Sequence, residues 1–97
     1  MTTVGVDSAQ LATELEARFD GSDRAVRVVS RHARDLADSG CLAEDGGYEP
    51  PVATIVEHLE DAPEGYTLVE RWNWWIGSLV LAYGDEYRQF RVRASLE

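Results

Sequence analysis

Three tryptophans within four residues, Trp72, Trp74 and Trp75, open the longest uncharged run of the chain, Trp72 to Gly84, and any fold must be organised around burying most of that surface. The run is shorter than the roughly 18 to 20 apolar residues that cross a bilayer, and Asn73, Gly77 and Ser78 interrupt it, so it reads as core rather than membrane span. Thr67 and Glu70 form a Thr-x-x-Glu capping box ahead of it, and Gly84 stands where a helix stops. Leu68, Val69, Trp72, Trp75, Ile76, Leu79, Val80 and Tyr83 fall within one half of a helical wheel, whereas strand alternation would leave both faces apolar. The spacing therefore predicts a helix over 66–83. The alternative is an antiparallel sheet over residues 66–93, following three helices.

Those three helices are signalled by their ends and their stripes. Asp7 and Gln10 make a capping box, Val6 staples onto Leu11, and Leu11, Leu15 and Phe19 line one face before Asp20-Gly21 ends the helix. Ser22 caps a second helix to about Ser39, with Val26, Val29, Ala33, Leu36 and Ala37 as its buried stripe and Gly40 as its left-handed stop. Residues 41–49, with Gly46-Gly47, read as a loop. Pro50-Pro51 opens a third helix whose Val52, Ile55, Val56 and Leu59 fit the i, i+3, i+4, i+7 pattern, and Pro63 with Gly65 closes it. Tyr87 to Arg93 ends in apolar–charged alternation and reads as a half-buried strand, for which Thr2 to Val6 is the expected partner and the loop around Tyr48 the second choice.

The expected fold class is thus mainly α (α+β): about four helices with a short N-/C-terminal strand pair. Leu15, Phe19, Val29, Leu36, Ile55, Leu59, Trp72, Trp75, Ile76 and Leu79 are expected inside. At 97 residues one modest core is affordable, and residues 1–95 read as a single acidic domain, with Leu96-Glu97 reading as a cloning scar.

Charge narrows the setting. Eighteen acidic residues face nine basic ones, every basic residue is arginine, and the net charge is −9. A dense carboxylate surface is tolerable where salt screens its self-repulsion over about 3 Å at 1 M. The missing lysine, the Ala/Val/Asp/Glu bias and the segment Trp72-Asn73-Trp74-Trp75 resemble small acidic proteins of haloarchaea, including uncharacterised ones. The resemblance implies a halophilic habitat and a fold that loosens at low ionic strength, and it carries no activity. The first residues lack a charged n-region and an apolar h-region, and the lone Cys41 cannot form an internal disulfide, so a cytoplasmic location is expected.

Two surfaces are candidate sites. Trp74, Gly77, Ser78 and Leu81 project from the otherwise polar side of the fourth helix as a flat strip rimmed by Glu70 and Arg71, suited to a protein partner or a second copy of the chain; alternatively the strip is covered by the terminal strand or the first helix. Arg24, Arg27, Arg31 and Arg34 form a positive ridge on the second helix, which Arg88, Arg91 and Arg93 could extend, and which suits phosphate or nucleic acid in a winged-helix-like regulator. The blander reading is a solvated face balanced by Asp23, Asp35, Asp38 and the acids of the first helix. Acids at Glu57, Glu60 and Asp61 on the third helix, and the negative charge overall, weigh against nucleic acid. His32, Cys41 and His58 are too scattered for a zinc site, and no nucleophile elbow, phosphate loop or dinucleotide fingerprint occurs. The expectation is therefore a noncatalytic interaction domain without metal or cofactor.

Overall fold

A computed structural model describes residues 8–19, 21–45, 47 and 52–92. The elements run α1 (Ser8–Arg18), α2 (Asp23–Ser39), α3 (Cys41–Asp45), α4 (Val52–Glu60), α5 (Leu68–Tyr83) and a terminal 3-10 helix (Asp85–Phe90). The ends follow the local chemistry of the chain. Ser22 Oγ accepts from the Ala25 amide at 3.0 Å, and Gly40, at φ 75°, returns its amide to Ala37 O in the left-handed conformation that costs glycine little. At α5 both halves of the capping box form: the Glu70 amide donates to Thr67 Oγ1 at 3.2 Å, and the Thr67 amide donates to Glu70 Oε1 at 2.8 Å.

The stripes meet in one core. α5 packs against α2, α4 and the 3-10 helix, while α1 packs against α2 and α4. Leu11 and Leu15, Val29 and Leu36, Ile55 and Leu59, and Trp72, Trp75, Ile76 and Leu79 are all buried there. Phe19 is an exception to the expected core: it is only half-buried, and its ring lies 5.1 Å beneath the Arg71 guanidinium. Arg71 also donates through Nε to Tyr66 O at 3.2 Å and through a terminal nitrogen to Leu59 O at 3.0 Å, clasping the end of α4 to the start of α5. Tyr83, on the predicted apolar half, is exposed and leans on Tyr87.

Three expectations are corrected. Residues 41–45 form a short helix rather than a loop, with Leu42 buried. Residues 66–93 do not form a sheet, because α5 runs unbroken through the tryptophans. Among the described residues there is no strand, and Tyr87 to Val92 do not supply the expected one; Thr2–Val6 and Arg93 lie outside the described residues, as do the Val6 staple, the Asp7 cap, Tyr48 and Pro50-Pro51.

The physical reason for the missing strand is specific. Tyr87 and Phe90, both buried, stand three residues apart, the period at which side chains eclipse on a 3-10 helix. The extended residues that follow find their hydrogen bonds on side chains: Trp72 Nε1 donates to Phe90 O at 2.7 Å, Asn73 Nδ2 donates to Val92 O at 2.7 Å, and the Val92 amide donates to Asn73 Oδ1 at 2.8 Å. Asn73 thus meets both backbone groups of Val92 as a neighbouring strand would.

Tyr87 ties this terminal segment to α3 by donating to Asp45 Oδ2 at 2.8 Å. Burial, and secondarily that bond, push the phenol well above its ordinary value near 10. The phenol therefore ionises more readily in the unfolded chain, so its contribution is complete below about pH 10 and is lost as pH rises further. Denaturation midpoints of the wild type should fall between pH 8 and pH 11 more steeply than those of Tyr87→Phe. Equal slopes would show that Tyr87 is not the alkaline switch.

Candidate functional site

Consecutive residues of a helix point about 100° apart, so the four residues from Trp72 to Trp75 face four different ways. Trp72 is fully buried; its indole meets Trp75 edge-on at 5.3 Å between ring centroids and reaches Phe90 O. Phe90 O also lies 3.0 Å from His32 Nδ1, and since a carbonyl only accepts, that nitrogen carries the hydrogen. Asn73 holds Val92. Trp75 stacks on His58 of α4, with centroids 5.0 Å apart and planes 11° from parallel. Trp74 alone of the four turns to solvent, at 38% exposure.

Below Trp74 the same face continues through Gly77 and Ser78 to Leu81, which is 90% exposed. Seven residues separate the two apolar ends, roughly 10.5 Å along the axis. A Cβ placed on Gly77 would meet nothing within 4 Å, so another backbone has room to come close. Ser78 spends its hydroxyl on Trp75 O at 2.6 Å, which makes the middle of the strip less dependent on water. Leu81 is left uncovered, and Trp74 is covered only in part. Beside Trp74 lies an open depression of about 310 Å³ lined by Tyr66, Glu70, Asn73, Trp74 and Arg91. The rim differs from expectation: Glu70 is there, but Arg71 is folded onto Phe19, and Arg91 takes its place.

The arginine ridge is real as a surface. Arg24, Arg27, Arg31 and Arg34 are all exposed, and of the acids expected to balance them only Asp38 does so, 3.7 Å from Arg34. Glu14 and Glu60 instead hold Arg18 at 3.1 Å each, raising its already high pKa. Arg88 pairs with Asp85 at 3.7 Å, Arg91 belongs to the Trp74 depression, and Arg93 is outside the described residues, so no extension of the ridge is formed by them. His32, Cys41 and His58 are not brought together: His32 is at Phe90 O, His58 is on Trp75, and Cys41 is half-buried with its amide bonded to Ser39 Oγ. Among the described residues no three His, Cys, Asp or Glu side chains converge as a metal site would require.

Sequence reasoning missed the clamp made by Trp72 and Asn73. A polar amide between tryptophans on a core helix was its available signal. It also missed a cleft of about 440 Å³ between α1 and α4, which is walled by Glu14, Glu57 and Glu60 and bridged by Arg18. Its residues come from two separate helices, and no spacing announced it.

Fold and site together define a small helical domain built around a single Trp-Asn-Trp-Trp turn. The chain belongs to the WNWW domain family, which matches residues 1–80. No curated protein and no solved structure matches it.

Proposed function

We propose that this is a noncatalytic interaction domain that self-associates through the outer face of α5 in concentrated salt. One observation carries the reading: of the large hydrophobic side chains left exposed among the described residues, Trp74 and Leu81 stand seven residues apart on one face of α5, with Tyr66 beside Trp74, while Tyr83 lies on the opposite side against Tyr87. Aromatic and aliphatic anchors grouped on one face are the usual energetic centre of a protein interface.

A second copy is the occupant the strip fits best, because its steric order reads the same from either end: large Trp74, small Gly77, small Ser78, large Leu81. In an antiparallel pair crossing between Gly77 and Ser78, each Trp74 lies against Leu81 of the other copy while the small residues let the helices approach, the self-complementary arrangement a two-fold contact needs. Each copy carries a net charge of −9, so association should strengthen as salt screens the repulsion between them. No described helix is long and apolar enough to cross a membrane. Work in a cytoplasm of high salt is part of the proposal, resting on composition.

The winged-helix reading has weaker support. It needs a strand-built wing, and the described residues contain no strand; α4, the third helix of the expected motif, carries Glu57 and Glu60 where base-reading residues would stand.

Leu81→Glu tests the strip with little risk to the fold, since Leu81 is almost wholly exposed. In sedimentation equilibrium at high potassium chloride the wild type should be a dimer and Leu81→Glu a monomer with the same melting temperature. Trp74→Ala should weaken the dimer about tenfold or more. A wild type that is monomeric at all accessible concentrations would leave a foreign protein as the only occupant of the strip.

A further inference from the structure

We infer that the shallow depression between α1 and α2 is a binding site for a phosphate-type anion, held by Arg27, Arg31 and Arg34 with Ser30 at its base. The inference is independent of association through α5.

The first support is electrostatic. Among the described residues Arg24, Arg27 and Arg31 have no carboxylate within 4.0 Å. Arg34 has only the 3.7 Å contact to Asp38, between two side chains that are more than half exposed. No acid is among the described residues that line the hollow these arginines share. Arg27, Arg31 and Arg34, spaced four and three apart, lie on one side of α2 and line a single depression of about 280 Å³, completed by Ser30 and by the small Ala9 and Ala12 of α1. Three forked guanidiniums around one hollow match the oxygens of a phosphate group better than those of a lone carboxylate.

The second support is Ser30. Its residue is 4% exposed, and its Oγ is buried with no hydrogen-bond partner. Three other helical hydroxyls behave differently: Thr13, Ser39 and Ser78 donate to carbonyls of the preceding turn, Ala9 O, Leu36 O and Trp75 O. A buried hydroxyl left unsatisfied is costly, so its position in the floor of an arginine-lined hollow points to a ligand oxygen as the missing partner.

The ligand class is a small phosphate-bearing molecule rather than a nucleic acid strand. Among the described residues no aromatic side chain lines the hollow for a base to stack on. From Arg24 to Arg34 the ridge extends only about 15 Å along the helix, and the chain around it is strongly negative.

The experiment uses the full chain, folded in potassium chloride, titrated with pyrophosphate as probe and followed by calorimetry and by the arginine Nε–H signals in nuclear magnetic resonance. Saturable one-to-one binding that shifts the Arg27, Arg31 and Arg34 signals is expected. Arg27→Gln and Arg31→Gln should each weaken it about tenfold, as loss of a charge-assisted bond does. Ser30→Ala should weaken it several-fold while the unliganded protein melts at the same temperature or higher, since an unsatisfied hydroxyl is removed. Absence of saturable binding at millimolar pyrophosphate, or binding indifferent to Arg27→Gln and Arg31→Gln, overturns the site. A single-stranded oligonucleotide that binds more tightly than pyrophosphate through the same arginines overturns the ligand class in favour of nucleic acid.

Discussion

Trp72→Ala is expected to destabilise the protein by about 3 to 5 kcal/mol, while Trp74→Ala, two residues along the same helix, leaves the monomer within about 1 kcal/mol of the wild type. Trp72 is fully buried at the junction of α5, α2 and the terminal segment. Truncating such a ring costs about 3 to 5 kcal/mol through lost burial and the cavity left behind, against a total stability of about 5 to 15 kcal/mol for a domain. The same change removes one of the two donors on Phe90 O, leaving the terminal segment tied to α5 through Asn73 and Val92. Trp72→Phe separates the two effects: it keeps much of the packing and loses the indole N–H, for an expected cost of about 1 to 3 kcal/mol. Urea denaturation of the three variants gives the order directly. Equal costs at Trp72 and Trp74 would contradict the division of the turn into three building residues and one exposed one.

Lowering salt is the second large effect. No described carboxylate is buried; Glu14 is half-exposed and the others are exposed, and only Glu14, Glu60, Asp38 and Asp85 lie within 4 Å of an arginine nitrogen among the described residues. Two unit charges 10 Å apart repel by about 0.4 kcal/mol in water, and a net charge of −9 on so small a body multiplies that over many pairs. The Debye length grows from about 3 Å at 1 M salt to about 30 Å at 0.01 M, so repulsion confined to neighbours at high salt acts across the whole molecule at low salt. A loss on the order of several kcal/mol is expected over that range. Thermal melts along a potassium chloride series measure it. A melting temperature independent of salt would remove the halophilic reading.

The helices were legible in the sequence because their signals are local. Thr67 and Glu70, Ser22, and Gly40 act within a few residues of themselves, and the stripe of α4 repeats at the helical period, so each can be read without knowing what lies opposite. The terminal segment was misread because two patterns overlap there: Phe90, Val92 and the flanking arginines alternate as a strand does, while Tyr87 and Phe90 are spaced for a 3-10 turn. What decided between them was non-local, namely the side chains of Trp72 and Asn73 taking the hydrogen bonds a strand partner would have supplied. The strip on α5 was legible for a similar reason to the helices, as one face of one element. Arg71 was misplaced on its rim because its partners, Phe19 and Leu59 O, come from α4 and the end of α1. The hollow beside the arginines needed two helices and an unpaired hydroxyl to be seen, and only the folded chain brings those together.

The central claim, that α5 carries the contact surface, is tested most directly by measuring mass and tryptophan quenching together in a dilution series at high potassium chloride. Trp72 and Trp75 are buried within the chain, so acrylamide quenching reports chiefly on Trp74. A dimer in which quenching is suppressed, and from which quenching rises as dilution yields monomer, is the predicted result. A dimer whose tryptophan remains as open to quencher as that of the monomer would contradict the account, because the two copies would then meet on some other face.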